Sequence, residues 1–444
     1  MGLWRLIPVL TMLVCAALGG CGADVMRPGL SDAVRDYTSA LPVIPAIEGF
    51  GIDTPAGRGG AIVRVVNLQA HGEGSLRAAL ETTGPRVVVF EAGGVIDLSE
   101  PVVVSEPFVT VAGETAPSPG ITIIGAGIVI NTHDVLLRHL RLRIGDRPDG
   151  PYPDSRDGIS VLDNAASDAY TCNVIIDHCS IAWAIDEGVS NWGSRIADIT
   201  YSRCIIAENL SHSLHSGGEH SKGLLVGDNA RRVAVIGNLF AHNMERNPFI
   251  KGNVSALIAH NVVYNPGTAA IHFGDRERSG PALATVTGNA LIPGPDTRRL
   301  LPLVRLNLDM NPQTRVHAFN NDSGGRALMR TLWAHRCWKP TPTYDAAPVR
   351  TRPLTLRAPE DTLEWVLRTA GARPQDRDSV DLRIIESVRR GDGRIIDSVA
   401  QVGGFPVHEP VYRPLNPPDA PHEHEPDGYT RLEHWLRNFA EAVE

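Results

Sequence analysis

Short runs of alternating apolar and polar residues recur through the middle of the chain. Each run is rich in Val, Ile and Leu, as β-strands are, and is interrupted by Gly, Asn, Asp or His, which favour turns. The runs are Asp134–Leu142, Asn173–Ile181, Asp198–Ile206, Arg232–Phe240, Ser255–Val263, Ala284–Ile292 and Arg315–Ser323. Because no helical pattern recurs between them, they predict stacked strands.

Corresponding positions of these runs follow one another at intervals that suit the coils of a solenoid. These positions are Leu140, Cys179, Cys204, Asn238, Asn261, Asn289 and Asn320. Asn238 and Asn261 are about 23 residues apart, and the other steps are longer, as loop insertions into a repeated coil would make them. This period predicts an all-β protein, a right-handed parallel β-helix or β-solenoid.

The alignment also predicts which side chains meet along the stack, roughly 4.8 Å apart. Alternate residues such as Val174 and Ile176 would face inward as apolar columns, and the aligned asparagines would hydrogen-bond to one another. Cys179 would lie above Cys204, either as a disulfide or, as we favour, as two buried thiols. A β-sandwich is the alternative, but it would need hairpin turns and closer, more even spacing.

The segments on either side of the repeats have a different character. Ser75 is a plausible N-cap for a short helix that would cover the open end of the solenoid. We therefore assign residues 49–325 to the β-helix and residues 326–444 to a C-terminal extension. In that extension Asp361–Thr369 and Tyr429–Val443 predict short amphipathic helices, which we expect to pack along the solenoid.

The first residues have the features of an export signal. Arg5 is followed by an apolar stretch, Leu6–Leu18, that is too short to span a bilayer. The stretch ends in LGGC, which resembles a bacterial lipoprotein motif, so residues 1–20 predict a signal peptide and Cys21 a lipid anchor to the membrane. Residues 21–48 would be a tether. An ordinary secretory signal is the alternative, and both interpretations predict an extracytoplasmic protein.

The charge and the cysteines narrow the range of functions. A formal net charge of −8 argues against a nucleic-acid-binding protein, which normally presents a basic face. It would also disfavour an anionic glycan, unless basic side chains gather in one cleft. Beyond the signal, the cysteines are too few and too scattered for a disulfide framework; they are Cys172, Cys179, Cys204 and Cys337.

Six segments match, in order, the segments of one known family. They are Gly49–Leu68, Pro85–Leu98, Val174–Ser190, His220–Asn229, Asn238–Gly252 and Asp378–Gly404. In sequence and order they resemble the bacterial pectate lyases of polysaccharide lyase family one, and the similarity extends from about Gly49 to Glu444. The resemblance implies a parallel β-helix enzyme that cleaves an acidic polysaccharide, polygalacturonate, by β-elimination.

The resemblance also implies which cationic residues act on the substrate. In the family's reaction a base removes the proton on carbon 5 of the uronate, and the glycosidic oxygen on carbon 4 leaves. Arg246 matches the proposed catalytic arginine, Lys251 a second basic position that contacts substrate, and Lys222 a substrate-binding lysine one coil earlier. Without the motif, an ion pair of Arg246 with Glu245 or with a neighbouring aspartate would be the simpler interpretation.

A calcium site beside these cations is implied as well. Asp157 matches a calcium-binding aspartate, and Asp186 and Glu187 fall at the next carboxylate position. Ca²⁺ prefers oxygen ligands, and as a Lewis acid it would neutralise the charge that develops on the substrate carboxylate. Stacked coils would place these carboxylates beside the cations on one face. The alternative for each carboxylate is a structural hydrogen bond.

Three positions depart from the family pattern. Asn191 stands where another calcium aspartate is expected, and Ser155 replaces a possible ligand. Phe249 follows the arginine segment where related sequences often carry another arginine. Fewer carboxylates predict weak calcium binding. Because guanidinium is protonated far above neutral pH, an arginine base predicts a need for alkaline conditions or cationic neighbours.

The histidines allow two interpretations. His139 and His178 align between coils and predict structural members of the stack. His212, His215 and His220 precede the substrate-binding lysine and would line the substrate loop, with a transition-metal site as the alternative.

Two other functions remain open at this point. A hydrolase on the same fold would need paired carboxylates as acid and base, but Asp186 and Glu187 are neighbours whose side chains would point apart in a strand. A non-catalytic glycan-binding surface lipoprotein is compatible with the departures at Asn191 and Phe249. In each case we expect a monomer.

Overall fold

Three long sheets of mostly parallel strands form the body of the protein. The computed structural model describes residues 41–164, 168–332, 338–340, 346–351 and 353–444. In this part each coil contributes one strand to each sheet in turn, so neighbours in a sheet come from successive coils. The predicted signal peptide and Cys21 lie outside the described residues. No described helix is long and apolar enough to cross a membrane.

The parallel strands of each sheet follow one another in chain order, and Val411–Tyr412 of the second sheet pairs with Ala92–Asp97 at its beginning. The first sheet contains Ala61–Val65, Arg86–Phe90, Val109–Ala112, Val135–Arg138, Thr171–Asp177, Ile196–Ser202, Arg231–Ile236, Ser255–Ala259, Leu283–Thr287 and Arg315–Phe319. The second contains Ala92–Asp97, Ile121–Ile124, Leu140–Arg143, Ser180–Ala182, Ile205–Ala207, Leu239–Ala241, Val262–Tyr264, Ala290–Ile292 and the antiparallel Val411–Tyr412. The third contains Val102–Val104, Ile128–Ile130, Ile159–Leu162, Glu187–Trp192, Lys222–Val226, Phe249–Ile250, Ile271–Phe273, Val304–Leu306, Met329–Leu332 and the antiparallel Trp338–Pro340.

The predicted parallel β-helix and its inward-facing apolar columns are confirmed. Val174 and Ile176 belong to the central core, while Ile175 packs outward against Leu136 and Ile47. This alternation follows from the two-residue period of a strand. Each fully buried aliphatic side chain contributes roughly 1.5–3 kcal/mol, so the columns are the main source of stability.

A column of asparagines follows the corner between the first and second sheets. The amide oxygen of Asn261 accepts hydrogen bonds from the backbone and side chain of Asn238, both at 2.9 Å, and its amide nitrogen donates to Asn289 at 2.9 Å. The last member is Asn321, which accepts from Asn289, so the predicted position Asn320 is wrong by one residue. Asn320 instead occupies the corner with φ 52°, a left-handed conformation that asparagine tolerates.

The same column begins with two cysteines. Cys179 and Cys204 are buried free thiols, and the backbone N–H of Cys179 donates to Sγ of Cys204 at 3.4 Å. The preference for two thiols is therefore confirmed. One position earlier in the coil, the rings of His139 and His178 stack with their centroids 5.1 Å apart, as their alignment predicts.

Helices cover the open end and the flanks of the solenoid. Helix α1, Leu76–Glu81, is capped by Ser75 as predicted. In the tail, α2 spans Pro359–Thr369 and α4 spans Arg431–Val443, close to the predicted helices. Helix α3, Ser379–Arg390, was not predicted, although it has an Asp378 N-cap and ends at Gly391 with φ 71°. Short 3₁₀ segments are Gly113–Thr115, Pro153–Ser155 and Val399–Val402.

The tail packs back along two of the three sheets. Apolar side chains of α2 and α3 join Ile205 and Leu239 on the outer face of the second sheet. Leu432 and Leu436 of α4 pack on Val87 and neighbouring residues of the first sheet. In the described part of the chain, the tail helices therefore cover parts of the outer faces of the first and second sheets and leave the outer face of the third sheet accessible. The last parallel strand of the third sheet, Met329–Leu332, lies after residue 325, the predicted end of the β-helix.

Candidate active site

Charged residues line one end of the strands on the outer face of the third sheet. Glu187 and Lys222 are direct partners in the ladder, and Asp157 lies in register with Glu187, two residues before its own strand begins. Arg246 lies one coil beyond Lys222, before the strand Phe249–Ile250. Because neighbouring strands are about 4.8 Å apart, four coils bring these four side chains together, with Arg246 next to Glu245, the ladder partner of Lys222. We call this set the charged column.

Arg246 occupies the most constrained position in this column. Its backbone has φ 63°, which is rare for a residue with a side chain and is found at functional sites. Its guanidinium makes an ion pair with Glu187. Its Nε is buried and makes no hydrogen bond to a described residue, while 22% of the side chain is exposed. Burial lowers the pKa of Arg246, and the opposing charges of Asp186 and Asp157 do not fully offset this effect.

Three carboxylates crowd together at the acidic end of the column. Asp157, Asp186 and Glu187 place ligand atoms within 4.8 Å of one another. Asp157 accepts hydrogen bonds from the backbone of Glu187 and from the hydroxyls of Ser160 and Ser190. Burial, together with the charge of Asp186, raises the pKa of Asp157 to about 7. Since burial and like charge penalise the ionised form, a bound cation would stabilise this group.

The departure at Asn191 has a structural reason. Asn191 lies in register with Val161 and Val226 and is fully buried, so its side chain belongs to the interior. The preceding residue, Ser190, faces the carboxylates and donates to Asp157. The pattern of this strand therefore supplies a hydroxyl where a fourth carboxylate would be needed. Ser155 lies in the 3₁₀ turn before the cluster, and its hydroxyl bonds to the backbone of Tyr152.

Lys222 is held by a residue that the sequence interpretation assigned elsewhere. Its Nζ lies 2.8 Å from Oε1 of Glu245, whereas Arg246 pairs with Glu187. Burial would raise the pKa of Glu245, but the nearby His272, Lys222 and Arg305 outweigh it and hold that pKa at about 2. An ion pair of Arg246 with Glu245, the simpler sequence interpretation, is absent from the described contacts.

Lys251 lies at the opposite end of its short strand from Arg246. Its Nζ is 2.7 Å from carboxylate oxygens of both Asp228 and Glu277, and 4.3 Å from the centre of the Trp192 ring. None of these partners belongs to the charged column. Trp192 itself is 48% exposed, so this end of the face offers an aromatic surface beside a cation.

Two of the three loop histidines adjoin the carboxylates. Nε2 of His220 is 2.7 Å from Asp186, and the ring of His215 stacks on His220 with centroids 3.7 Å apart. His212 points away and lies beside Asp397.

The charged column combines two opposite environments within four coils. Asp157 and Glu187 form an acidic half that suits a metal cation, and Lys222 and Arg246 form a basic half that suits an anionic group. A ligand that carries a carboxylate could contact both halves when a cation lies between them.

Sequence reasoning missed several residues of this face, among them Glu245, Asp228, Glu277, Trp192 and His272. Trp192 had a detectable signal, because it alternates with the buried Asn191 along one strand. Glu245 had a weaker one in its position next to Arg246. Asp228 and Glu277 come from loops whose positions the sequence pattern does not define.

Comparison with known proteins places this geometry in context. No family model matches the chain. A curated protein of Aspergillus flavus named probable pectate lyase C is 33% identical over 377 residues, which cover 83% of this chain and 82% of that protein. Its counterpart from Neosartorya fischeri is 34% identical over 392 residues, covering 84% and 83%.

Solved structures show the same fold at low sequence identity. The cedar pollen allergen jun a 1 superposes with a TM-score of 0.51 at 16% identity, covering 73% of this chain and 92% of the allergen. A double variant of a pectate lyase from Xanthomonas campestris gives a TM-score of 0.50 at 15% identity, covering 75% of this chain and all of that one.

Proposed function

The chain belongs to the pectate lyase family, and on that premise we propose that it cleaves polygalacturonate by β-elimination with Arg246 as the base. The observation that carries this proposal is the position of Arg246. It combines a pKa lowered by burial with partial exposure and with an ion pair to Glu187, a member of the acidic half of the charged column.

The neutral form of Arg246 removes the proton on carbon 5, alpha to the uronate carboxylate. The electron pair of that C–H bond forms the carbon 4–carbon 5 double bond, and the glycosidic oxygen on carbon 4 leaves. The guanidinium then holds the proton, and its ion pair with Glu187 stabilises the charged form. Lys222 lies one coil away, where its ammonium favours the negative charge that develops on the substrate carboxylate.

A calcium ion fits the acidic half of the column. Asp157, Asp186 and Glu187 offer only oxygen ligands, as Ca²⁺ prefers, and the raised pKa of Asp157 marks a place where a cation is favourable. When bound there, the ion supplies positive charge that neutralises the substrate carboxylate. Because Asn191 faces the interior and Ser190 provides a hydroxyl, we expect weaker binding than four carboxylates would give.

We assign substrate binding to Lys222 and Lys251. A uronate carboxylate would compete with Glu245 for Lys222, and with Asp228 and Glu277 for Lys251. These carboxylates keep both lysines oriented. A ligand has to displace them in order to bind, which favours a polyanion over a neutral glycan.

We also propose that the protein acts outside the cytoplasm as a monomer anchored through lipid at Cys21. The support is the short apolar stretch Leu6–Leu18 and the LGGC motif that follows it. Membrane fractionation of the natural chain and of Cys21→Ala tests this proposal. The anchored protein moves from the membrane to the soluble fraction in the variant, whereas an unchanged distribution would contradict the anchor.

The first experiment follows the ultraviolet absorbance of unsaturated uronides with polygalacturonate as substrate. We expect a rise with added calcium and little or none with chelator. A rise that survives chelation would retain the lyase and reject the calcium assignment. Reducing ends without absorbance would indicate hydrolysis, and no reaction on any polyuronate would reject the proposed activity.

A further inference from the structure

Three groups of metal-binding side chains occur in the described part of the chain. In each group the ligand atoms lie within 4.8 Å of one another. The groups are Asp157, Asp186 and Glu187; His139, His178 and Glu444; and Asp186, His215 and His220. The first group is the proposed calcium site. The other two contain imidazoles, which suit transition metals.

The group around Glu444 is already neutralised by protein charges. Arg138 lies 2.7 Å from the Glu444 carboxylate, and the same arginine contacts Asp177 and Glu114. His178 is 2.8 Å from Asp177. This network has its own cation, so it is explained as a buried ion-pair cluster under the tail.

The group around Asp186 has the opposite charge balance. Among the described residues, no lysine or arginine makes an ion pair with Asp186 or with Asp154, whose Oδ1 lies 3.9 Å from Nε2 of His215. The nearby cations Lys222 and Arg246 are engaged by other carboxylates. The Asp186 carboxylate therefore meets two imidazoles, and Asp154 approaches that of His215, with no lysine or arginine among their described ion pairs, an arrangement that favours a dication.

The distances agree with a small tetrahedral ion. Oδ1 of Asp186 lies 2.7 Å from Nε2 of His220 and 3.7 Å from Nε2 of His215, and that atom of His215 lies 3.9 Å from Oδ1 of Asp154. Ligand bonds of about 2.0 Å in a tetrahedron place the donor atoms about 3.3 Å apart. These separations lie on both sides of this value, and to complete the site the Asp154 carboxylate would move from its hydrogen bond with Ser216 towards the other three ligands.

We propose that Asp186, His215 and His220, with Asp154 as fourth ligand, bind a first-row transition-metal dication of the Zn²⁺ type. The mixed nitrogen and oxygen donors distinguish this site from the all-oxygen calcium cluster. The inference goes beyond the proposed function, because it concerns metal binding and does not depend on lyase activity.

The hydrogen bonds show what binding requires. The backbone N–H of Gly217 donates to Nδ1 of His215 at 3.0 Å, so the proton of the neutral ring lies on Nε2. Coordination through Nε2 moves that proton to Nδ1 and turns the Gly217 peptide away. The neighbouring Gly218 has φ 82° and gives this turn the freedom to rearrange.

Asp186 belongs to both metal groups, and this sharing has a consequence. A carboxylate has two oxygens, so one can bind the transition metal while the other faces Asp157 and Glu187. An ion at the histidines would fix the Asp186 carboxylate and thereby position one ligand of the calcium cluster.

The test is calorimetric titration of the chelator-treated full chain with Zn²⁺, and separately with Ca²⁺. We expect one Zn²⁺ site, and we expect His215→Ala and His220→Ala each to weaken it by about 100-fold or more, at least the loss that an outer-shell partner can cause. The matched control is His212→Ala, in the same loop but 67% exposed and directed at Asp397, which should bind Zn²⁺ unchanged. Circular dichroism verifies that each variant is folded.

A second readout locates the ion. Co²⁺ in place of Zn²⁺ should show the visible bands of four-coordinate nitrogen and oxygen ligands, and these should vanish in His220→Ala but persist in Glu187→Gln. The proposal is overturned by the absence of a Zn²⁺ site, by equal losses in His212→Ala and His220→Ala, or by loss in Glu187→Gln alone, which would place the ion in the calcium cluster. Each of these results leaves the absorbance test of lyase activity unaffected.

Discussion

Two columns of polar residues run along the same solenoid, and they differ in almost every respect but their spacing. The asparagine column lies inside the corner of the first and second sheets, where each amide bonds to the next. The charged column lies on the outer face of the third sheet and changes from acid to base over four coils. One repeats a side chain, and the other varies it.

The comparison shows that the repeated coil fixes where a side chain lies. The chemical type of that side chain then determines whether it stabilises the fold or contributes to the proposed site. In the asparagine column the amides of Asn261, Asn289 and Asn321 each accept from the asparagine one coil earlier, so the column stabilises the stack. In the charged column the neighbouring side chains differ in type and charge and do not repeat one hydrogen bond. The pKa values of Asp157 and Arg246 depart from their usual range. Such departures are frequent at functional sites.

The largest expected effect comes from the charged column. Arg246→Ala should reduce kcat/KM on polygalacturonate by about 1,000-fold, or roughly 4 kcal/mol, because it removes the proposed base. Stability to urea should also fall, because the substitution leaves Glu187, whose side chain is 6% exposed, without its ion-pair partner. Initial rates of ultraviolet absorbance measure the first quantity. Retention of more than a tenth of the activity would mean that the base lies elsewhere.

Arg246→Lys sharpens the same prediction through pH. The rate depends on the deprotonated base, so it should rise with increasing pH in the natural protein. Burial lowers the pKa of Arg246, which brings this rise closer to neutrality. Lysine has a lower intrinsic pKa than arginine, so the ascending limb should move to lower pH. Superimposable profiles would argue against proton transfer to this position.

A substitution in the asparagine column should lower stability and leave activity intact. Asn261→Ala should lower the free energy of unfolding by about 3 kcal/mol, because it leaves buried donors of Asn238 without an acceptor. The folded fraction should keep its kcat. Urea unfolding measures the loss, and Asn320→Ala is the control, since the side chain of Asn320 donates to the backbone of Arg357, outside the column. Equal losses in both variants would contradict the role of the column.

Glu245 lies beside the charged column and also stabilises the fold, because it makes an ion pair with Lys222. Its pKa is held at about 2 by neighbouring positive charge, so its contribution is present above its unfolded pKa and is lost as pH falls from about 4.5 towards 2. From neutral pH to about pH 3 the natural protein should lose about 2 kcal/mol more than Glu245→Gln. Glu386→Gln, an exposed pair with Arg389, is the control and should show no such difference.

The smallest effect is expected at the far end of the face. Lys251→Gln should raise KM for polygalacturonate about five- to tenfold with little change in kcat, because Lys251 lies away from Arg246 and is proposed only to bind. Steady-state rates at several substrate concentrations separate the two constants. A fall in kcat with unchanged KM would instead place Lys251 in the chemical step.

Much of the fold follows from local rules that the sequence displays. The two-residue alternation at Val174 and Ile176 defines which face is buried, and the recurring asparagines define the register. The error at Asn320 arises because the corner and the column both favour asparagine, so two adjacent asparagines are ambiguous. Helix α3 was missed, although its Asp378 cap and Gly391 end are both visible in the sequence.

From the sequence, site residues could be placed only where the register of the strands defines their positions. Asp157, Glu187, Lys222 and Arg246 align because they belong to strands or adjoin them. Lys222 and Glu245 are also direct partners in the ladder, whereas the contact of Asp154 with the distant Ser216 depends on a loop conformation that no periodic pattern defines. Contacts between loops therefore marked the limit of sequence reasoning.

The unequal length of the coils has a practical consequence. Cys204 and Asn238 are 34 residues apart, and Asn238 and Asn261 only 23, yet both pairs bond in the same register. The extra length lies in residues 208–221, the loop that carries His215 and His220. The stack therefore accommodates an insertion at that place without a change of register, and residues 216–219, which are exposed, are where a foreign loop would least disturb the strands beneath.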